Sequence, residues 1–127
     1  MHSMVELPTS LTCMTVRFLR AKTCPTQGLR VKVRGGSIQV ESTTSSDVVL
    51  WRDSAPDEVL IRVRWPARGS RALRVWNVWR AHGVTQAWIG NAGMRVASVS
   101  TAGYVLQCSD GWGAPDFTDL MVEIRTE

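Results

Sequence analysis

The residues able to do covalent chemistry are few. His2 and His82 are the only imidazoles, and the three cysteines, at 13, 24 and 108, show no C-x-x-C spacing. A thiol or hydroxyl nucleophile needs a base within hydrogen-bond reach, and His82 is the one realistic base. Cys108, His82 and Asp110 compose such a set on paper. Strand alternation, however, turns Cys108 toward the core and leaves His82 in a turn. Two His and scattered Cys also make a poor zinc set. The sequence contains no P-loop, no G-x-G-x-x-G and no G-x-S-x-G. The expectation is a protein that is not an enzyme and takes no cofactor.

Binding chemistry is better supplied. Six Trp stand against two Phe and one Tyr, and of fifteen basic residues only Lys22 and Lys32 are not Arg. Trp faces and guanidinium planes stack on one another, on bases and on sugars, and both are enriched at protein contact hot spots. The segment Asp110-Gly-Trp-Gly-Ala-Pro-Asp-Phe-Thr-Asp119 places three carboxylates around Trp112, which two glycines flank. Asp110, Asp116 and Asp119 form a weak Ca²⁺ candidate, since the spacing fits no EF-hand. With Asn91, Asp110 and Trp112 form a candidate loop site.

These residues need elements to hold them. A chain of 127 residues is long enough for one domain with its own core. Hydrophobic residues at 44% and charged residues at 20% exclude an intrinsically disordered chain. No stretch approaches the roughly 18 apolar residues of a membrane helix. Met1–Ser10 lacks the charged and apolar regions of a signal peptide. That segment is left outside every element, as a candidate disordered tail of a domain spanning 1–127. Unpaired cysteines without a secretion signal point to a reducing, cytoplasmic setting.

Short alternating segments rich in Val, Ile, Thr and Trp recur, with Gly and Pro between them. Strands are predicted near 14–20, 29–34, 37–40, 48–51, 58–65, 72–80, 84–89, 94–99, 104–108 and 118–125, the last with a helix as alternative. About ten short strands at this spacing predict an all-β, single-domain antiparallel β-sandwich, with a partly open β-barrel as the alternative.

Alternation also assigns faces. Read as a five-stranded meander from Glu58 to Cys108, the strands carry Val59, Ile61, Val63, Val75, Trp79, Ala87, Ile89, Met94, Val96, Tyr104 and Leu106 on a core face. Asn77 falls among them and needs a hydrogen-bond partner. The registers place Met94 opposite Cys108, Arg95 beside Gln107, Trp79 opposite Thr85, Trp76 opposite Trp88 and Glu58 opposite Arg80. The second face then shows a row of Arg62, Trp76, Trp88, Arg95 and Gln107, with Arg74 adding charge.

The net charge of +4 is a mild bias. The favoured function is a small binding module acting through protein–protein contacts, including a homodimer. The alternatives are single-stranded nucleic-acid binding on the Arg/Trp face and carbohydrate binding on Trp112 and Trp88.

Overall fold

A computed structural model describes residues 2–66, 68–90, 92–100 and 103–126. Twelve strands run along the chain: β1 (Val5–Glu6), β2 (Cys13–Ala21), β3 (Thr26–Arg34), β4 (Ser37–Val40), β5 (Thr43–Ser45), β6 (Asp47–Trp51), β7 (Glu58–Arg64), β8 (Ala72–Ala81), β9 (Val84–Gln86), β10 (Gly93–Ser100), β11 (Gly103–Ser109) and β12 (Leu120–Thr126). There is no helix among the described residues. The strands form two antiparallel sheets. One has the order β1-β8-β3-β6, with β9 also on β8; the other has the order β10-β11-β12-β2-β7-β4-β5. The sheets do not close into a barrel, and the architecture is consistent with a β-sandwich.

The ten predicted strands all occur, and two short ones join them. The segment 118–125 is a strand, paired on both sides by β11 and β2. The N-terminal segment, given no element from sequence, supplies β1. Val5 and Leu7 are buried there, and the Leu7 amide donates to the Leu73 carbonyl.

The two sheets bury the alternate residues of their strands against each other. Met14, Val16, Ile61, Leu106, Val122 and Ile124 face inward from the larger sheet, and Leu29, Val31, Leu73 and Val75 from the smaller. Period two explains why Val59, Ile61 and Val63 are buried in β7 while the residues between them are exposed. Ile89 is the exception to the predicted core face, since it is 53% exposed.

The meander does not form as a whole. The β10–β11 part has the predicted register, with Met94 opposite Cys108, Arg95 opposite Gln107 and Val96 opposite Leu106. Strands β7 and β8 instead lie in different sheets. The chain therefore passes from one layer to the other between β7 and β8 rather than closing a hairpin. Glu58 is therefore opposite Arg17, and its carboxylate meets Arg125, while Arg80 is opposite Thr26 on β3. The β8–β9 hairpin is real but one residue out. Trp79 pairs with Gln86 because the turn has only His82 and Gly83, both with positive φ (53° and 74°). Strand β9 ends at Gln86 and does not pair with β10.

Burial sets unequal costs for truncation. Ile124→Ala, in the layer between the sheets, is expected to lose about 2–5 kcal/mol of unfolding free energy. Val99→Ala, 66% exposed, should change it by less than about 0.5 kcal/mol. Urea denaturation of the two variants measures the contrast.

Candidate functional site

Strand β8 is the centre of the smaller sheet and is buried on both faces. Leu73, Val75, Asn77 and Trp79 point to the sandwich interior, while Trp76 and Val78 point outward and are nevertheless buried. An Arg–Trp layer covers them. The Trp88 ring stacks on Trp76 with centroids 5.1 Å apart and planes at 30°, and the Trp88 indole N–H donates to the Ser3 carbonyl at 2.6 Å. Trp88 has φ of 58°, a left-handed conformation that a bulky residue rarely adopts. The Arg30 guanidinium lies 5.6 Å from the centroid of Trp76, and Arg80 lies 4.3 Å from that of Trp51. Trp51 lies over Gly28, where a Cβ would sit 2.7 Å from the indole ring. Only glycine leaves room for that ring at this point of β3.

The predicted Arg–Trp row is thus half present. Trp76 and Trp88 are neighbours as expected, although the backbone route differs. Arg74 is on β8 with Trp76, opposite Lys32, and pairs with Glu6. The other three residues lie in the other sheet. Arg62 is on β7, opposite Cys13 and Gln39. Arg95 and Gln107 face each other on β10 and β11, with Arg95 stacked 3.6 Å from the centroid of Phe117. The row breaks because β7 crosses to the other layer, so no cross-strand line can join it to Trp76.

Three arginines of this sheet are also paired. Arg30 makes a bidentate contact with Asp47, at 2.9 and 2.6 Å, Arg74 meets Glu6 and Arg80 meets Asp53. The Arg30 hydrogen bond holds the Asp47 carboxyl below its ordinary range.

The acidic loop is built differently from the ligand cradle expected. Asp110 is fully buried. One carboxylate oxygen accepts from the Lys22 ammonium at 2.8 Å and from the Gln27 amide at 2.8 Å; the other accepts from the Trp112 backbone N–H at 2.9 Å. Its own backbone N–H donates to Asp119 at 3.0 Å, and Asp119 also meets Lys22 at 3.5 Å. Burial pushes the Asp119 carboxyl up. Desolvation pulls Lys22 down, but its hydrogen bond to Asp110 and the charges of Asp110 and Asp119 outweigh it, so its pKa is raised.

Asp116 turns away and caps Thr118, whose hydroxyl and amide both donate to it. The three aspartates do not converge. Among the described residues, no three His, Cys, Asp or Glu side chains gather to hold a metal ion. Nor is the Asp110 carboxylate free to hold a sugar hydroxyl, because both of its oxygens are engaged in the interior. Asn91 lies outside the described residues.

Beside this carboxylate, Asn77 donates to the Ser109 carbonyl at 2.9 Å, the strand-end partner its core position requires. Gln27 donates to Asp110 and also to the Pro25 carbonyl at 3.0 Å; its buried Oε1 has no partner. The amide cannot turn over, because that would set its oxygen against a carboxylate and a carbonyl. Lys22, Gln27 and Ser109 were not singled out from sequence. Each sits on a segment remote in sequence from its partner, and no local pattern marks them.

The anchored strand end supports two exposed loops. The carbonyl of Ile89 approaches Gly111 so closely that a Cβ there would be 2.4 Å away. The 89–90 backbone therefore rests directly on the 111–113 loop. His82, at the tip of the β8–β9 hairpin, has its ring 6.3 Å from Trp112. Val84, Trp88, Ile89 and Trp112 are 50–56% exposed, and they are four of the seven exposed large hydrophobics among the described residues.

The nucleophile set fails on geometry. Cys108 is fully buried, while His82 is exposed at the hairpin tip. Burial pushes the Cys108 thiol up to about 12. Compared with protein families, curated proteins and solved structures, the chain matches none.

Two measurements check this site. Asp110→Ala leaves Lys22 and Gln27 without their buried partner and should cost about 3–5 kcal/mol, whereas Asp116→Ala should cost less than about 1 kcal/mol. Equal losses in chemical denaturation would contradict the assignment of Asp110 as the anchor. Under native conditions Ellman's reagent should titrate exposed Cys24 at once and half-exposed Cys13 more slowly. Cys108 should react only after unfolding.

Proposed function

We propose that the protein is a non-enzymatic binding module acting through protein–protein contacts, self-association among them, with the Trp88–Ile89 and Gly111–Gly113 loops as its contact surface. The observation that carries this reading is that half-exposed Val84, Trp88, Ile89 and Trp112 sit on the β8–β9 hairpin, the 88–90 segment and the 111–113 loop, which the Ile89–Gly111 and His82–Trp112 approaches bring side by side. Scattered exposed hydrophobics are ordinary; a cluster containing two Trp is the composition of an interface hot spot. The buried carboxylate beneath holds the loops in place, which lowers the ordering cost of association.

The single-stranded nucleic-acid alternative draws less support. It asked for two open Trp faces and free guanidiniums. Trp76 is covered, and Arg30, Arg74 and Arg80 each have an acidic partner. Three free thiols accord with a reducing, cytoplasmic setting. Among the described residues, no helix is long and apolar enough to cross a membrane.

Sedimentation velocity tests self-association. The native chain should shift to a dimer with concentration, and the pair Ile89→Ser and Trp112→Ser should stay monomeric with an unchanged melting temperature. A native monomer at every concentration up to the solubility limit would remove self-association from the reading.

A further inference from the structure

A second feature lies away from the Trp loops. Between the sheets, where β4, β5, β6 and β7 meet, is a notch of about 580 Å³. Every residue lining it comes from the continuous stretch 38–62. Ile38, Val40, Val48, Leu50 and Val59 give it an apolar floor that reaches the core.

Its walls are strand edges with open backbone. Strand β4 pairs with β7 only from Ser37↔Arg64 to Gln39↔Arg62, and then turns off at Glu41, whose φ is 54°. On its other side β7 pairs with β2. There the Val63 amide donates to Thr12 and the Phe18 amide to the Asp57 carbonyl, so the odd-numbered residues of β7 face β2. Alternation then turns the N–H and C=O of Glu58 and Leu60 into the notch. Among the described residues, no strand pairs with them on that side.

Opposite stands β6, an edge strand paired only with β3. The Val33 amide donates to Ser46 and the Arg52 amide to Gln27, so the even-numbered residues of β6 face β3. The backbone groups of Val49 face the open side. The two ends of this edge are already occupied. The Ser45 hydroxyl bridges the N–H and C=O of Asp47, and the Trp51 carbonyl accepts from Ser54 and Ala55.

We infer that this notch binds a short extended apolar peptide of another protein, which adds as a strand along Glu58–Leu60 and carries a Lys or Arg at an outward position. The unpaired N–H and C=O of Leu60 match the backbone of an extended chain, and a strand laid there continues the line of β4. Its inward side chains would cover Val40, Val48, Leu50 and Val59. Its outward side chain opposite Glu58 would share that carboxylate with Arg125, which approaches it at 3.4 Å, and exposed Glu41 also lines the notch; cross-strand pairs of opposite charge are favourable. Arg62, the only cation among the lining residues, lies at the closed end opposite Gln39.

The test uses the full chain, immobilised, and a hexapeptide mixture of the form Lys-Φ-Thr-Φ-Thr-Φ, with Φ drawn from Val, Ile, Leu and Phe. Mass spectrometry of the retained fraction should show members enriched about tenfold over the same mixture with alternate N-methylated amides, which cannot pair as a strand. A mixture with Glu in place of Lys should be retained less. Bound peptide should slow hydrogen exchange at the Leu60 amide, and should bind the Trp112→Ser variant as tightly as the native chain, which separates this site from the Trp loops. Retention of no member overturns the inference. So does binding indifferent to N-methylation, or binding that leaves Leu60 exchange unchanged, since either outcome describes an apolar pocket and not a strand acceptor.

Discussion

The structure turns on one constraint: β8 is apolar on both faces, so both must be covered. Its inner face is met by the larger sheet, as in any sandwich. Its outer face carries Trp76 and Val78, which water would otherwise reach. Several unusual local features answer to that second face. Trp88 adopts a left-handed backbone and places its ring on Trp76, and Gly28 leaves the space that Trp51 fills. Arg30 and Arg80 lay their guanidiniums against these rings while their charges are met by Asp47 and Asp53. Guanidinium suits this work, because its planar faces stack while its edge N–H groups remain available to carboxylates.

A second, smaller interior lies at the end of β8. Asp110 is an ionisable group in a place that penalises charge, and it is tolerated because Lys22, Gln27 and the Trp112 amide surround it. The partners come from the β2–β3 connection, β3 and the loop after β11, so one carboxylate ties both sheets together. Of the aspartates that suggest a ligand cradle in sequence, Asp110 and Asp119 are therefore an internal clamp and Asp116 a turn cap. What they present outward is Trp112.

Local pairing was legible in the sequence and layer assignment was not. The Met94–Cys108 register follows from alternation because only two residues separate β10 from β11, and a slip would bury Arg95 and Gln107. The same alternation in β7 and β8 fits a hairpin and a crossover equally well. Residues 65–71, with Pro66 and Gly69, can close either. The usable signal lay in Val75, Trp76, Val78 and Trp79, which are apolar at both parities and mark a central strand covered on two sides. β8 is central because β3 pairs with it along its length, and that pairing joins residues far apart in sequence. The Trp76–Trp88 contact was found with a hairpin register one residue out. The chain leaves the strand after Gln86, and left-handed Trp88 returns its ring to the face that the slip would have removed.

Order and exposure combine differently at the two ends of the sandwich. Around Trp112 the backbone is held at three points, by Asp110, by the Gly111 approach and by the Ser109 hydroxyl that accepts from the Asp116 amide. Exposed side chains there can gain from burial without first having their loops ordered. Around Leu60 the side chains of the floor are already buried or partly buried, and it is backbone groups that stay unspent. A partner at the first end would be recognised by the shape and area of its apolar surface; at the second it would be recognised by the hydrogen-bond repeat of an extended chain. The two surfaces differ in which part of the polypeptide was left unfinished when the core closed: side chains at one end, main chain at the other.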